Sequence, residues 1–403
     1  MKNKFILSLL MFFFSLQIFA SSSQTEKNFI KASLSEKIKI IENLKEKDLV
    51  PVTQKALDFS IENAAILKED KDLTSLALAC VLVLPSDQES AKNLTSSDLQ
   101  LFSEKFMTIF KLFKNPELRR AIMKNLEFYS GSDQSLTVSF LNDYLSSAYK
   151  ANESEKNILE EAIITIGKIG DNESLSIIYN VWVSKIWDKY HDSIDEALVS
   201  LSQDSFGDAI RIISSSKIED IAHYFKILKK SDKISENSLC QIAENALLIA
   251  INNVENLSAK SKDSEKAFVG FQLDAQEVLT AHKWSHASSA INSNILLAKK
   301  AYDKGTMDEK DFVKLIKSSV QIPSHDLAQT LTDMLSECNG KVEKASSDAK
   351  IEMPAKSVVL ALITALGELG DKTAFDTLLS VTYLSYPLEV VDEAKKSLQA
   401  LNW

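Results

Sequence analysis

The same helix-ending pattern occurs twice in this sequence, and the two copies start 200 residues apart. Residues 163–171 are IITIGKIGD, and residues 363–371 are ITALGELGD. Each copy joins a run of apolar residues to a Gly-x-x-Gly-Asp turn, after which apolar residues resume at helical spacing. At both places the pattern predicts a helix that ends in a tight turn and is followed by a second helix.

The glycines and the aspartate of each turn have separate predicted roles. The first glycine lets two helices approach closely, the second takes the left-handed conformation that ends a helix, and the aspartate caps the next helix. These structural turn residues are Gly167, Gly170, Asp171, Gly367, Gly370 and Asp371.

Weaker similarities extend the repetition beyond the two turns. Residues 131–136 parallel residues 170–175 at an offset of 39, and the segments 194–197 and 391–394 each open a further helix after a strong copy. Self-similarity at periods of roughly 20–50 residues is the signature of stacked supersecondary units. We therefore expect an α-solenoid, an array of stacked antiparallel helical hairpins.

The glycine and proline content points to the same fold class. The 403 residues include 9 glycines and 6 prolines, far fewer than the roughly 7% and 5% found in average proteins. Tight β-turns and nucleotide-binding loops need these residues, whereas helices joined by short polar loops need few of them. The composition therefore predicts an all-α fold.

With these turns, the sequence resembles the HEAT and HEAT-like repeat families. Units of these families pair two antiparallel helices and often carry an A-x-x-x-L-G-x-L-G-D turn, which is closely matched at 362–371 and well matched at 162–171. The resemblance implies an all-α solenoid that binds other proteins. It carries over no catalytic residue, because these families share none.

The predicted domain organisation is one array with a single prominent break. Residues 23–339 form the N-terminal and central repeats, and residues 357–403 form C-terminal repeats that continue the array. Between them, residues 340–356 are rich in lysine, serine and aspartate, which predicts a polar linker.

Residues 1–22 have the pattern of a secretory signal peptide. Lys2 and Lys4 precede an almost wholly apolar run over 5–20, and small residues at 20–22 suit a signal peptidase. The apolar run is shorter than the roughly 20 residues that a bilayer span requires, although a retained N-terminal anchor is the alternative interpretation. We expect an exported bacterial protein, periplasmic or secreted, without a transmembrane span once the signal is removed.

The charge distribution argues against a nucleic-acid partner. The chain has 46 basic and 56 acidic residues, a net charge of −10, and just three of the basic residues are arginines: Arg119, Arg120 and Arg211. An acidic surface repels a polyanion, and bidentate recognition of phosphates and bases depends on arginine.

The three cysteines, Cys80, Cys240 and Cys338, are far apart and show no CxxC spacing. Their helical surroundings favour small buried thiols in helix interfaces, with a disulfide as the alternative.

An aromatic cluster gives the candidate binding residues. Trp182, Trp187 and Tyr190 follow Tyr179 closely, and aromatic residues are enriched at interface hot spots and sugar-stacking surfaces. Their spacing also fits one helix and its turn, so packing into the core is the competing interpretation.

His282 and His286 are the candidate metal ligands. They continue the apolar stripe of a predicted long helix over 263–304, and histidines at i and i+4 can share a metal ion. The segment lacks the glutamate of the H-E-x-x-H motif, and no third ligand can be named. The alternative is a polar, hydrogen-bonded patch where the stripe ends.

The sequence contains no recognisable catalytic signature: it lacks a G-x-S-x-G elbow, a Walker loop and a G-x-G-x-x-G loop after a strand. We therefore expect a non-enzymatic scaffold of the cell envelope that binds a protein or peptide along an extended face, without a cofactor. Two alternatives stay open: a cell-wall or polysaccharide enzyme with its site in the divergent middle region, and a sugar-binding module. The sequence leaves the oligomeric state open.

Overall fold

The computed structural model describes residues 23–67, 70–87, 94–130, 133–151, 157–204, 206–214, 216–252, 262–346 and 352–401. Within these ranges the regular structure consists of twenty α-helices and three short 3₁₀ helices, with no β-strand. The prediction of an all-α fold is confirmed. The predicted signal peptide lies outside the described residues.

The chain divides into two compact units, Met1–Leu201 and Ser202–Trp403. The helices of the first unit are α1 (Gln24–Lys31), α2 (Leu34–Glu42), α3 (Glu46–Leu67), α4 (Lys71–Val83), α5 (Ser96–Leu112), α6 (Pro116–Tyr129), α7 (Ser135–Ala151), α8 (Ile158–Ile169), α9 (Asn172–Ser184) and α10 (His191–Asp204), whose last residues belong to the second unit.

Helices of the first unit pack in two layers. Helices α1, α3, α5, α7 and α9 contact one another in succession, and α2, α4, α6 and α8 do the same in the second layer. Most consecutive helices also contact each other across the layers, so each pair forms a hairpin that stacks on the next.

The second unit contains α11 (Phe206–Ser214), α12 (Ile218–Lys230), α13 (Glu236–Asn252), α14 (Lys262–Ala281), α15 (Ser288–Asp303), α16 (Glu309–Ser319), α17 (His325–Ala345), α18 (Lys356–Leu369), α19 (Phe375–Val381) and α20 (Leu388–Ala400). Its odd-numbered helices from α11 to α19 contact one another in succession, as do its even-numbered helices from α12 to α20. Within each unit, this packing is consistent with the predicted solenoid-like arrangement of hairpins.

Helix starts follow from local capping residues. The Asp171 side chain accepts from the Ser174 backbone N–H at 3.0 Å and starts α9, and Thr95 forms a capping box with Asp98 at the start of α5. Such reciprocal bonds satisfy amide groups that have no partner inside the helix. The polar punctuation of the sequence therefore sets where helices begin.

A recurring polar contact joins stacked helices inside the core. The buried side chains of Asn125, Thr165 and Ser397 donate to backbone carbonyls of Val81, Met123 and Ile363, at 3.1, 3.1 and 3.0 Å. Each bond links an even-numbered helix to the even-numbered helix before it. Because a buried donor without a partner is costly, these bonds favour one register of stacking over a shifted one.

The polar linker predicted over 340–356 begins later than expected. Helix α17 continues through Gly340 to Ala345, with Val342 buried and its lysine and glutamate neighbours exposed. The polar residues of this stretch are thus the solvent face of an amphipathic helix rather than a loop. Helices α17 and α18 on either side of the break contact each other, and the unit boundary lies instead after Leu201.

Cys80, Cys240 and Cys338 are free and buried, as the helical context of the cysteines predicted. Burial raises the pKa of all three thiols, that of Cys240 to about 11. Among the helices described, none combines the length and the apolar character needed to span a bilayer.

Candidate functional site

A cavity lies in the first unit, where the hairpin of α3 and α4 meets the hairpin of α5 and α6. It is a cleft of about 880 Å³ at the end of the hairpins where α3 and α5 finish and α4 and α6 begin. This volume lies in the upper part of the range of roughly 300–1,000 Å³ that is usual for ligand sites. The lining residues are Ala64, Ala65, Lys71, Thr74, Ser75, Leu78, Lys111, Leu112, Lys114, Asn115 and Glu117.

Two capping residues fix the helix starts that border this cleft. The Asp70 side chain accepts from the backbone N–H groups of Asp72 and Leu73, at 2.8 and 3.1 Å, so α4 begins at Lys71. The Asn115 side chain accepts from the Leu118 N–H at 2.9 Å, and Pro116 occupies the first position of α6. Proline suits this position because it has no N–H to satisfy.

The cleft is positively charged although the protein is acidic. The ionisable residues of its described lining are three exposed lysines, Lys71, Lys111 and Lys114, together with the exposed Glu117. None of these lysines takes part in an ion pair within the described part of the chain. Elsewhere lysines do pair, as Lys168 does with Glu127 at 2.7 Å.

A second, smaller cavity of about 270 Å³ shares two residues with the cleft, namely Lys111 and Lys114. Three aromatic rings belong to its wall. The Phe110 ring lies edge-on to Phe140 and to Tyr144, with centroid distances of 5.4 and 5.2 Å. We call this cavity the aromatic pocket.

Cationic groups lie over two of these rings. The Arg119 guanidinium is 4.1 Å from the centre of the Phe110 ring, and the Lys111 ammonium is 5.6 Å from the centre of the Phe140 ring. Such contacts hold long cationic side chains in place through the ring quadrupole. The contact with Phe140 therefore orients the Lys111 side chain, which lines the cleft as well as the aromatic pocket.

The described lining of the cleft is rich in cationic, polar and small apolar groups and poor in carboxylates. Glu117 is the single carboxylate of its described lining, whereas glycoside hydrolysis in its usual form uses a pair of carboxylates. Among the described residues, no three histidine, cysteine or acidic side chains are grouped so as to hold a metal ion. The lining instead alternates ammonium groups, hydroxyl groups and small apolar side chains.

The expected aromatic anchor does not form an exposed surface. Trp187 and Tyr190 are 2% and 7% exposed, and the Trp187 ring lies edge-on to Tyr149 at 6.4 Å. Trp182 is partly exposed, and its indole N–H donates to Asp195 at 3.1 Å. The competing interpretation of the sequence, packing into the core, describes Trp187 and Tyr190, because the turn after α9 folds these rings inward.

The structure also separates the two candidate metal ligands. Helix α14 ends at Ala281, Lys283 takes a left-handed φ of 48°, and a 3₁₀ turn covers Ser285–Ala287. His282 and His286 therefore do not share a helix face, contrary to the long helix expected over 263–304. His282 lies 3.4 Å from Glu236, and the His286 ring packs at 5.3 Å from Trp284.

The repeated turns differ at their second glycine. Gly370 has φ 67° and ends α18 in the expected left-handed conformation, whereas Gly170 has φ −70° and ψ 173°. The left-handed prediction is therefore wrong for Gly170. A Cβ there would lie 2.4 Å from the Ile166 carbonyl oxygen and 2.8 Å from the Leu201 side chain, so close packing requires this glycine.

Both turn aspartates act as caps and lie beside the preceding hairpin. Asp171 accepts from Asn142 at 3.4 Å, and Asp371 lies 2.8 Å from the His325 ring nitrogen. Burial works to raise the pKa of Asp171, but the hydrogen bonds from Ser174 and Asn142 leave it lowered. For Asp371, the bond from the Thr373 N–H and then the His325 contact lower the pKa.

Sequence reasoning did not find the cleft. Its lysines are unremarkable among many lysines, and Lys71 at the start of α4 meets Lys111 and Lys114 at the end of α5 only because the two hairpins stack. One local signal was present: the segment 111–117 places two lysines directly before an Asn-Pro helix start, which puts their charges at the end of a hairpin.

Comparison with known proteins yields no family for this chain. No family model matches the sequence, and no curated protein matches it. A solved structure described as "Computational Design of Self-Assembling Cyclic Protein Homooligomers" aligns over 91% of this chain and 92% of its own, with 11% sequence identity and a TM-score of 0.12. At that TM-score the alignment supports no inference, and the resemblance to HEAT-like repeats stays a prediction from the turns.

Proposed function

We propose that this protein is a non-enzymatic interaction scaffold that holds a protein or peptide partner in the cleft between α3, α4, α5 and α6. The observation that carries the proposal is the construction of the cleft: four successive helices contribute to one concave surface of about 880 Å³. Stacked hairpins place successive helix ends side by side, so a partner can gather binding energy from several of them.

The lining supports a polypeptide ligand. Ala64, Ala65, Leu78 and Leu112 offer apolar contact, while Thr74, Ser75 and Asn115 offer hydrogen-bonding groups for a main chain. Protein interfaces combine an apolar centre with a polar rim in this way. Because Trp187 and Tyr190 are buried, the aromatic cluster does not present these rings to a partner, whereas the cleft is open to one.

We place this role in the bacterial cell envelope, as part of the same proposal. The support is the basic start and the apolar run over 5–20, which together have the pattern of a secretory signal. Mass measurement of the protein from its native cells tests this: a mature N-terminus near Ser21 or Ser23 is expected, and full-length protein in the cytosol contradicts it.

Site-specific photocrosslinking tests the scaffold role. A small aliphatic diazirine amino acid at Ser75, which is exposed in the cleft, should crosslink a specific protein in native cells, whereas the same probe at exposed Lys124 on α6, outside the cleft, should not. The crosslinked protein is then purified, and its affinity is measured with the wild type and with Ser75→Trp, which fills the cleft.

We expect Ser75→Trp to weaken this binding at least tenfold, about 1.4 kcal/mol, while the circular dichroism spectrum and the melting temperature stay unchanged. Equal affinity of both proteins, or equal crosslinking from positions 75 and 124, overturns the assignment of the cleft. Turnover of a wall polymer or peptide that is lost in Glu117→Gln overturns the non-enzymatic role.

A further inference from the structure

The cleft and the aromatic pocket are separated by Lys111 and Lys114, which line both. A ligand that occupies both cavities must therefore pass two ammonium groups on its way from one to the other. The cavities differ in character: the cleft mixes hydroxyl, amide and small apolar groups, and the pocket has three aromatic rings in its wall, with Arg119, Asp143 and Ser147 beside them.

From this juxtaposition we propose that the ligand is a short acidic peptide segment whose carboxylates meet Lys111 and Lys114 and whose neighbouring apolar side chain enters the aromatic pocket. The inference rests on the proposed function and names the chemistry of its partner. Charge complementarity supports the acidic part of the ligand: the described lining of the cleft has three lysines and one glutamate, and the pocket adds Arg119 and Asp143, on a chain of net charge −10.

The aromatic pocket supports the other part of the proposal, an apolar side chain next to the carboxylates. Its volume of about 270 Å³ suits one side chain, which can contact the partly exposed Tyr144 ring, while the buried Phe110 and Phe140 rings lie beneath Arg119 and Lys111. Leu78 and Leu112 in the cleft add apolar surface on the other side of the lysines. A ligand with charge alone would leave this surface unused.

The same residues favour a carboxylate ligand over a phosphate-rich one. The described lining of the cleft contains lysines but no arginine, and arginine is the side chain that recognises phosphate in bidentate fashion. Arg119 lies in the aromatic pocket, where its guanidinium is stacked over Phe110 and is 6% exposed. The lysines act as point charges, which a row of carboxylates can satisfy.

Fluorescence anisotropy with the full chain and synthetic peptides tests this inference. The probes are a short peptide of glutamates flanking a phenylalanine, the same peptide with glutamines for the glutamates, and the same peptide with alanine for the phenylalanine. We expect the first peptide to bind at least tenfold more tightly than either of the others, and its affinity to fall as salt is added.

The protein variants test the position of the site. Lys111→Glu/Lys114→Glu should weaken binding of the acidic peptide at least tenfold and remove most of the salt dependence. The matched control Lys27→Glu/Lys124→Glu changes the net charge equally at exposed residues of the same unit that line neither cavity. This control should keep its affinity within about twofold, because surface charges act weakly beyond the Debye length.

Three results overturn the inference: equal binding of the glutamate and glutamine peptides, equal loss in both double variants, or tighter binding of anionic lipid vesicles or a sulfated oligosaccharide than of the acidic peptide. If the acidic peptide fails while crosslinking at Ser75 still captures a partner that Ser75→Trp releases, the peptide chemistry is wrong and the scaffold function stands. If acidic peptide binding follows Lys111 and Lys114 but crosslinking captures nothing, the scaffold function fails separately.

Discussion

Gly367 lies directly against Ser397, so closely that a Cβ at position 367 would stand 2.6 Å from the Ser397 Oγ and 2.8 Å from its Cβ. The equivalent glycine of the first unit has the same relationship: a Cβ at Gly167 would stand 2.8 Å from the Cβ of Ala197. Each glycine faces a small residue that follows it by 30 positions, on the next even-numbered helix. The repeated glycine thus marks a close crossing between stacked helices in both units.

Replacing Gly367 with valine should lower the free energy of unfolding by roughly 1–3 kcal/mol, because the new side chain must displace the α20 backbone or Ser397. Urea denaturation followed by circular dichroism measures this change. Gly340→Ala is the matched control, since Gly340 is also helical but has no atom within 4 Å of a new Cβ. The control should be neutral or stabilising by up to about 1 kcal/mol. A Gly367→Val protein as stable as the wild type would show that the contact is looser than the structure indicates.

The sequence was sufficient to predict this contact but not the detail of the turn that follows. Helical periodicity and a repeated Gly-x-x-Gly-Asp segment identify a close crossing, because only glycine permits it. The two second glycines look identical in sequence, yet Gly370 is left-handed and Gly170 is extended. A Cβ at Gly170 would lie 2.8 Å from the side chains of Leu201 on α10 and Ser174 on α9, and these contacts cannot be read from the turn sequence.

Asparagine should distinguish the two turns. At Gly370, alanine should cost about 1–2 kcal/mol because φ is 67°, and asparagine should recover part of this loss because it tolerates the left-handed region. At Gly170, alanine and asparagine should both destabilise, since any Cβ meets the Ile166 oxygen and Leu201. Thermal unfolding of the four variants decides the matter, and a rescue by asparagine at position 170 would contradict the role of close packing there.

The Asp371 contact with His325 should make the second unit sensitive to acid. The pKa of Asp371 is lowered in the folded state, first by the Thr373 N–H and then by His325. Its contribution is therefore present above the unfolded pKa of about 4 and is lost as the pH falls through the lower folded value. The contribution should be below about 1 kcal/mol, because Asp371 lies near solvent.

Asp371→Asn keeps the shape of the cap and removes the titration. We expect the difference in stability between the wild type and this variant to shrink as the pH is lowered from 7 to 3, measured by urea denaturation. A difference that grows towards acid pH would mean that the folded state does not favour the Asp371 carboxylate.

His282 and His286 should bind no stoichiometric metal, because the end of α14 at Ala281 separates them. Elemental analysis after incubation with zinc and dialysis should give the same low zinc content for the wild type and for His286→Ala. One zinc per chain that disappears in His286→Ala would restore the metal site predicted from the i, i+4 spacing.

The candidate site was harder to predict than the fold, and Lys111 and Lys114 show why. A charged site at the surface has no periodicity of its own, so these residues resemble any solvated lysines until the stacking of the hairpins adds Lys71 of α4 to the same cleft. The aromatic segment was a conspicuous candidate binding surface in the sequence, but Trp187 and Tyr190 are buried. Large rings are conspicuous in a sequence, but the same ring serves a core and an interface, and the turn after α9 decides between them.

Trp187 provides the sharpest test of that distinction. Since its ring is 2% exposed, Trp187→Ala should lower the free energy of unfolding by about 3–5 kcal/mol by leaving a cavity in the first unit. Trp182→Ala, which removes a partly exposed ring and its bond to Asp195, is the matched control and should cost clearly less. Urea denaturation gives both values.

Under conditions in which Trp187→Ala remains folded, its affinity for the crosslinked partner should equal that of the wild type, because the ring lines neither the cleft nor the aromatic pocket. A Trp187→Ala protein of normal stability that no longer binds the partner would instead place the ring at the interface.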